Sequence, residues 1–241
     1  MKKSKFLCLI AFTIMLFALP YSCSDQNNEP KQSYSDEKIE IRSGGIGESC
    51  LPDIQNCPGG IYSWNIALDL FPGCIFPVSV DYIDCSAGTT TYLYLGDFEI
   101  DYDNLYCDDY YDYIDDCIQN GTLDDCIIEL NQAIWEQVTL NLLNGTNYDP
   151  FYPTTIEYYI GACKFLCGYE TLDCVEIGTI CCRKVYKYVY DPVNREWVVN
   201  WEGESELIGG ECPDQPSTSC PPTSLQTETC FDNCASLDFF D

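Results

Sequence analysis

Histidine is absent from this chain of 241 residues. It is the commonest general base at neutral pH, the usual activator of a serine or cysteine nucleophile and a frequent metal ligand. Ser-His-Asp catalysis, Cys-His catalysis and zinc sites that use imidazole are therefore excluded. The chain also lacks a Gly-x-Ser-x-Gly motif, a phosphate-binding loop and a dinucleotide-binding fingerprint. We therefore expect a non-catalytic protein, with a carboxylate-dependent hydrolase acting on glycans as an alternative.

Positive charge is scarce: the chain has 11 Lys and Arg residues against 39 Asp and Glu residues, for a formal charge of −28. Residues 43–163 contain no Lys or Arg but hold 20 acids. Binding to a phosphate backbone requires a basic surface, so nucleic acid is excluded as a general partner. A strong negative field suits divalent cations and basic partners instead.

Long apolar runs are confined to the leader. Three lysines precede an apolar run over residues 6–19, and Ser22 stands before Cys23. This pattern is typical of an export signal, so we predict a signal peptide over residues 1–22. No later run approaches the roughly 18 apolar residues needed to span a bilayer. We therefore expect an extracytoplasmic protein of formal charge −31, because the leader removes three of the 11 positive residues.

The leader ends with the order Leu19-Pro20-Tyr21-Ser22-Cys23-Ser24. It resembles a bacterial lipoprotein precursor, in which the cysteine that follows the apolar run is acylated and becomes the first residue. The resemblance covers the leader only, and it departs from the family pattern at Pro20, where a branched apolar residue is preferred. It implies lipidation of Cys23 and attachment to the membrane through an acyl anchor. Ordinary cleavage after Ser22 is the alternative.

Residues 23–49 favour the anchored form, because a tether requires an anchor. This stretch is polar, poor in aromatic residues and unable to bury a core, so we predict a flexible tether. No aspartate follows Cys23 directly, and the resemblance then implies the outer rather than the inner membrane. The expected location is that of an outer-membrane lipoprotein, on the periplasmic side or exposed at the cell surface.

Cysteine is abundant, with 18 residues, of which 16 remain once Cys8 in the leader and Cys23 are set aside. An even number in an exported chain predicts disulfide bonds rather than thiolate metal ligands. Adjacent Cys181 and Cys182 would point to opposite faces of a strand, so we predict two different partners for them. Spacing alone leaves the connectivity open. The predicted disulfide cysteines are Cys50, Cys57, Cys74, Cys85, Cys107, Cys117, Cys126, Cys163, Cys167, Cys174, Cys181, Cys182, Cys212, Cys220, Cys230 and Cys234.

Apolar residues recur with two periods, which predict an α+β fold. Residues 61–71 alternate apolar and polar side chains, as expected of a half-buried strand, and short connections favour an antiparallel meander. Helical spacing follows over residues 110–117 and 123–142, and an Asn-Gly pair ends each helix. Further strands are predicted at residues 78–84, 89–100, 154–166, 183–190 and 195–202.

We expect residues 50–208 to form one disulfide-rich domain, with an antiparallel sheet of a meander plus a hairpin and with one or two packed helices. In the second strand of the hairpin, alternation places Trp197, Val199 and Trp201 on one face. Residues 209–241 are rich in Cys, Pro and Ser and are too polar for a core of their own. We predict that this tail packs on the domain and is held there by disulfides.

An acidic stretch is the clearest candidate for a metal site. Its acids fall at positions 1, 3, 5, 7 and 12 of one window, the spacing with which an EF-hand loop surrounds Ca²⁺ with oxygens. Tyr102 stands at the sixth position, where such a loop needs glycine for its turn. A strand edge with its acids in water is the alternative, and no other cofactor is expected. The candidate ligands are Asp97, Glu99, Asp101, Asp103 and Asp108.

Half of the eight positive residues that follow the leader lie within 13 residues of one another. They are Arg183, Lys184, Lys187 and Arg195, and we name them the basic cluster. We predict that this cluster docks as an internal clamp on the protein's own acidic segment, residues 97–116. Contact with an acidic partner, or with the acidic segment of a second copy, is the alternative.

Together these features predict a cysteine-rich, acidic surface or periplasmic protein with a non-catalytic binding or structural role. Tyrosines lie between the acids, and Tyr92 and Tyr94 are two of them. Exposed aromatic residues stack on sugars or anchor a protein partner, so a protein or a glycan is the expected ligand. The alternatives are the hydrolase named above and a calcium-stabilised adhesion module.

Overall fold

Two α-helices and ten strands make up the part of the chain that the structure describes. This computed structural model describes residues 50–145, 149–174, 180–216, 219–220, 227 and 229–240. The predicted signal peptide, the lipidation site Cys23 and the tether lie outside the described residues, so they stay predictions.

The elements follow the chain so that two helices separate a first group of strands from a second group. In chain order they are β1 (Gly59–Ile66), β2 (Phe76–Asp84), β3 (Thr91–Ile100), α1 (Asp108–Asn120), α2 (Leu123–Gly145), β4 (Thr154–Gly161), β5 (Cys163–Cys167), β6 (Glu170–Asp173), β7 (Cys181–Asp191), β8 (Glu196–Glu202), β9 (Glu206–Ile208) and β10 (Phe231–Asp232). Short 3-10 helices occupy Tyr102–Asn104 and Cys234–Leu237. The predicted α+β class is confirmed.

Seven of the described strands form one mixed sheet in the order β1-β2-β3-β4-β7-β8, with β9 also pairing with β7. Within the described sheet, neighbouring strands run antiparallel except β3 and β4, which are parallel. A parallel pair needs a crossover connection, and α1 and α2 supply it between β3 and β4. The predicted meander and hairpin are present, and the parallel pair between them makes the sheet mixed.

The strand predicted over residues 154–166 is two strands that belong to two sheets. β4 ends at Gly161, whereas β5 pairs with β6 and β10 in a small antiparallel sheet. A Cβ atom at Gly161 would lie only 2.5 Å from the Asp173 carboxylate. A side chain at this position would therefore displace Asp173 and its ion pair with Lys164, which joins them at 2.9 Å.

Both helices end and pack as their sequences predict. Gly121 adopts a left-handed φ of 70° after α1, and its N–H donates to the carbonyl of Cys117. α2 places Trp135 against Tyr158 of β4, with ring centroids 5.3 Å apart in an edge-to-face arrangement. α2 therefore covers the face of the sheet that Tyr158 occupies. None of the described helices is both long enough and apolar enough to cross a bilayer.

A chain of hydroxyl groups crosses the core between α2 and the sheet. Thr139 Oγ1 lies 2.7 Å from Tyr158 OH, which lies 3.1 Å from Tyr188 OH. All three residues are buried. Burial raises the pKa of the Tyr158 and Tyr188 phenols above the usual 10.0, so both stay neutral in the folded protein.

All 16 predicted cysteines form disulfide bonds, which makes eight bridges. Their Cα–Cα distances run from 5.0 to 6.4 Å, within the ordinary range. Cys181 bonds to Cys50 and adjacent Cys182 bonds to Cys234, so the prediction of two different partners is confirmed. The other bridges are Cys57–Cys85, Cys74–Cys107, Cys117–Cys126, Cys163–Cys212, Cys167–Cys220 and Cys174–Cys230.

The C-terminal tail contributes to the core. Its four cysteines all bond to cysteines between residues 163 and 182. Further along, the Tyr186 hydroxyl donates to the Leu237 carbonyl at 2.6 Å, and the Phe239 ring centroid lies 5.4 Å from that of Tyr158. The tail is therefore held by disulfides, as predicted, and its last residues pack against the buried tyrosines of β4 and β7.

Candidate binding surface on the β7–β8 hairpin

The β7–β8 hairpin, which carries the basic cluster, has one face in the core and one in solvent. Side chains alternate along a strand, so Tyr186 enters the core while Lys187 points outward. Lys187 lies directly opposite Trp201, and Val189 lies directly opposite Val198. Opposed residues of an antiparallel pair share a face. We name Lys187, Val189, Val198 and Trp201 the outer patch.

Trp201 is the largest side chain of the outer patch and is 48% exposed. The Lys187 ammonium lies over its ring, 5.1 Å from the centroid. Gly203 makes room for the ring, because a Cβ atom there would lie 3.1 Å from its Cη2 atom. The Trp201 ring therefore has the Lys187 ammonium and the Gly203 backbone as neighbours. Trp is frequent among the residues that contribute most of the binding energy at protein interfaces.

The position of Trp201 corrects the sequence-based expectation. Alternation predicts Trp197, Val199 and Trp201 on one face, but Trp201 lies on the other. The pairing register shifts beside Lys187 and leaves Asn200 as an extra residue, which reverses the alternation. Trp197 and Val199 pack against the core as a result. Such a bulge depends on how two strands pair, so alternation within one strand could not reveal it.

Arg183 of the basic cluster is bonded inside the protein. Its Nε–H donates to Glu157 at 2.9 Å, and its Nη1–H donates to Glu206 at 3.2 Å. Glu157 has only 1% of its surface exposed, and it also accepts hydrogen bonds from the hydroxyls of Tyr92 and Tyr159. The hydrogen bond to Glu157 raises the pKa of Arg183 by more than burial lowers it, so the guanidinium stays charged.

Lys184 points to the core face and is bonded there. Its ammonium pairs with Glu202 of β8 and with Asp238 of the tail, and Ser205 Oγ donates to Asp238 at 3.0 Å. Burial lowers the pKa of Lys184, but the hydrogen bonds and charges of Asp238 and Glu202 outweigh it, so the net pKa is raised. Lys184 thereby ties the tail to the hairpin.

Two residues of the basic cluster bond inside the protein, but the acidic segment predicted as their partner is wrong. Among the described ion pairs, Arg183 and Lys184 contact acids of β4, β8, β9 and the tail rather than residues 97–116. Neighbouring residues of a strand point to opposite faces, so these two cations cannot clamp one surface. Lys187 and Arg195 have exposed side chains and are directed to solvent.

An open cleft of about 430 Å³ adjoins the ion pairs of Lys184. It is lined by Lys184, Glu202, Gly203, Glu204, Ser205 and Asp238. A glycosidase needs one carboxyl group that gives up a proton and a second that attacks or acts as a base. In this cleft, Glu202 and Asp238 both form ion pairs with the Lys184 ammonium.

Asp97, the first candidate calcium ligand, is bonded to the protein's own groups. Its Oδ1 pairs with Lys164 at 3.2 Å, and its Oδ2 accepts the Gly161 N–H at 2.7 Å. Burial raises the pKa of Asp97 more than the charge of Lys164 lowers it. Burial lowers the pKa of Lys164, but Asp97 and Asp173 outweigh this and raise it, so the ammonium stays charged. A cation would have to compete with this lysine.

The other candidate ligands lie in separate elements. Glu99 is in β3, Asp103 is in the first 3-10 helix, and Asp108 opens α1. The Asp101 carboxylate accepts a hydrogen bond from the side chain of Asn104 at 2.6 Å. Within the described ranges, no three of the five acids bring carboxylate oxygens within 4.8 Å of one another. Calcium binding at these residues stays a prediction.

One cluster of three described residues does bring its possible ligand atoms within 4.8 Å of one another. It consists of Cys182, Asp232 and Cys234. The two cysteines form a disulfide with each other, so neither offers the thiolate that a metal would need. This group is therefore structural.

Comparisons with known proteins find no relative of this chain. No family model matches it, and neither does any curated protein or solved structure. The assignment of a function therefore depends on the chemistry of the residues described above.

Proposed function

We propose that this chain is an exported lipoprotein, anchored through Cys23, that binds another protein through the outer patch and performs no catalysis. The eight disulfides indicate an extracytoplasmic protein, because such bonds persist only where the surroundings are oxidising. The lipoprotein-like leader and the polar stretch over residues 23–49 support the anchor.

The observation that carries the binding role is the half-exposed ring of Trp201 beside apolar neighbours on the same face of the hairpin. Val198 is 36% exposed, and Lys187 adds one positive charge to the same face. An apolar centre with a charged group beside it is the usual composition of a protein interface. The outer patch therefore suits a partner that offers an apolar surface and a carboxylate for Lys187.

A protein suits this surface better than a glycan. Sugar stacking needs an open face of an aromatic ring, whereas the Lys187 ammonium already lies over the Trp201 ring. The flanking Val189 and Val198 offer methyl groups but no hydrogen-bonding side chains for sugar hydroxyls. The same residues favour contact with apolar side chains of a partner protein.

The hairpin also holds the outer patch away from the point where the chain enters the domain. Cys50 is bridged to Cys181, the first residue of β7. Lys187 lies six residues further along the strand, or about 20 Å at 3.3 Å per residue. A patch displaced from the tether end is accessible to a partner in the surrounding space.

The test uses the full chain in its own cells, with a photo-crosslinking residue at position 198 in the outer patch. A matched control places the same residue at Val193 in the hairpin turn, which is 86% exposed and outside the patch. We expect one protein to crosslink at position 198 and not at position 193. With that partner purified, Trp201→Ala should raise the Kd at least about tenfold, whereas Val193→Ala should leave it unchanged.

Two outcomes would contradict the proposal. One is equal affinity of the wild type and Trp201→Ala for the crosslinked partner. The other is binding of the purified mature chain to a glycan array that is lost in Trp201→Ala, which would assign the surface to a sugar.

A further inference from the structure

Most disulfides of this protein join cysteines that are not consecutive along the chain. Among the described bridges, only Cys117–Cys126 joins two cysteines that are consecutive along the chain. Each of the other seven encloses at least one further cysteine. Pairing in order of appearance would therefore give mostly non-native bonds.

The bridges of the tail show most clearly that native partners lie far apart along the chain. Cys163, Cys167, Cys174 and Cys182 bond in the same order to Cys212, Cys220, Cys230 and Cys234, at separations of 49 to 56 residues. Four thiols thus reach the oxidising compartment before any of their partners. Eight cysteines can pair in on the order of a hundred ways, and one of these is native.

Loop closure favours the wrong partners. The probability that two residues meet falls with about the 3/2 power of the number of residues between them. By this scaling Cys163 meets nearby Cys167 roughly 40 times as often as it meets Cys212, which is 49 residues away. Early oxidation of this region should therefore produce short-range bonds such as Cys163–Cys167.

We infer that this protein matures as a substrate of a thiol–disulfide isomerase in the compartment to which it is exported. Each bond first forms when two cysteine thiols give two electrons and two protons to the disulfide of a dithiol oxidase, which becomes a dithiol. A mispaired Cys163–Cys167 bond is then attacked by the thiolate of the isomerase. This step forms a mixed disulfide with Cys163 and releases the thiolate of Cys167, which takes up a proton.

The second exchange completes the native bond. Cys212 loses its proton and attacks the sulfur of Cys163, which forms Cys163–Cys212 and returns the isomerase as a thiolate. No electrons are gained or lost over the two exchanges, and Cys167 is left as a thiol that can pair with Cys220. The isomerase therefore acts as a catalyst and needs no reductant beyond its own thiol.

Burial of the native disulfides in the folded protein stops further thiol–disulfide exchange. Cys163, Cys174 and Cys182 have no exposed surface. Asn233, next to Cys234, donates its N–H to the Ala162 carbonyl at 2.6 Å, which docks the tail over this region. A buried disulfide is inaccessible to an attacking thiolate. The isomerase must therefore act before the tail docks, and native bonds are protected afterwards.

The test refolds the reduced, denatured mature chain in a glutathione buffer. One arm has no catalyst, a second has a dithiol oxidase, and a third has protein disulfide isomerase as the probe. Mass spectrometry of peptides follows each bond over time. We expect the isomerase to form Cys117–Cys126 no faster than the oxidase does, but to form Cys163–Cys212 and Cys182–Cys234 at least about tenfold faster than the oxidase does. Cys163–Cys167 should persist longer in the two arms that lack the isomerase.

A paired variant separates mispairing from slow folding in general. Cys167→Ser with Cys220→Ser removes the nearest competitor of Cys163 and leaves no unpaired thiol, so the acceleration of Cys163–Cys212 by the isomerase should fall severalfold. Cys117→Ser with Cys126→Ser, the matched control, should keep the full acceleration. Native pairing in the oxidase arm at the rate of the isomerase arm, or equal acceleration in the two variants, would overturn the inference.

Discussion

The Arg183 guanidinium donates to the Glu157 carboxylate at 2.9 Å, although Glu157 lies in the central strand β4 with only 1% of its surface exposed. The next residue, Lys184, bonds to acids on the opposite face of the sheet. Two adjacent cations are thus used for the internal structure of a very acidic chain. Lys187, three residues later, lies over Trp201 and is directed to solvent. Because side chains alternate along β7, neighbouring residues of the basic cluster point to opposite faces of the sheet and bind different partners.

Arg183→Ala should destabilise the protein strongly, because it leaves the charge of Glu157 buried without its cation. The part of Arg183 that is exposed reduces the loss, so we expect about 2–4 kcal/mol in the free energy of unfolding. Urea unfolding with intact disulfides measures this value. Lys187→Ala on the same strand is the control and should cost at most about 1 kcal/mol, because it removes only the contact with the Trp201 ring. Equal losses in the two variants would show that the Glu157 pair is not a main source of stability.

High pH should unfold the protein cooperatively because its buried tyrosines resist ionisation. Burial raises the pKa of Tyr158 and Tyr188 above 10.0 and that of Tyr102 to about 12. A raised pKa in the folded state contributes stability that is present below pH 10 and is lost as the pH rises towards the folded value. The ultraviolet absorbance of tyrosinate should therefore show one group that ionises gradually and a second that ionises only on unfolding. Gradual ionisation of all tyrosines with the fold intact would contradict this.

The purified exported protein should contain no free thiol among the 16 bridged cysteines. Removing a bridge that closes a long loop should cost more than removing one that closes a short loop. Cys182–Cys234 closes 52 residues and Cys117–Cys126 closes nine. The paired Ser variants should therefore differ by about 1.5 kcal/mol in the free energy of unfolding. Alkylation of several cysteines without reductant would be inconsistent with the bridges.

Calcium should have no specific effect on stability if Lys164 keeps its bond to Asp97. The ammonium already provides the positive charge that this partly buried carboxylate needs. We expect the melting temperature in millimolar calcium to equal that in sodium of the same ionic strength. A calcium-specific rise that Asp101→Asn abolishes would instead support the metal site predicted from the spacing of the acids.

Cys23→Ser should release the protein from the membrane fraction without changing its melting temperature, because the sequence of residues 23–49 predicts a polar tether outside the core. Fractionation and mass spectrometry of the N-terminal peptide measure the anchor directly. A Ser22→Thr variant, which keeps the cysteine, should remain in the membrane fraction. Retention of Cys23→Ser in membranes, or a Cys23 without an acyl group, would favour ordinary cleavage of the leader.

Local features of the sequence were enough to place the helices and most strands. The stripe that includes Ile134 and Val138 predicts α2, and Gly121 predicts the end of α1, because both depend on neighbours within one or two turns. The even count of cysteines predicts that all 16 are bridged. The adjacency of Cys181 and Cys182 predicts that they bond to two different cysteines. These properties follow from composition and from the geometry of a single element.

Only the tertiary structure decided which distant residues meet. The parallel pairing of β3 with β4, the partners of the disulfides and the ion pair of Arg183 with Glu157 each join segments that are far apart in sequence. The register shift beside Lys187, which exposes Trp201, likewise arises from the pairing of two strands, β7 and β8. Alternation and charge spacing describe one segment at a time. Pairing and register depend instead on the total free energy of packing two segments together, so only the folded chain determines them.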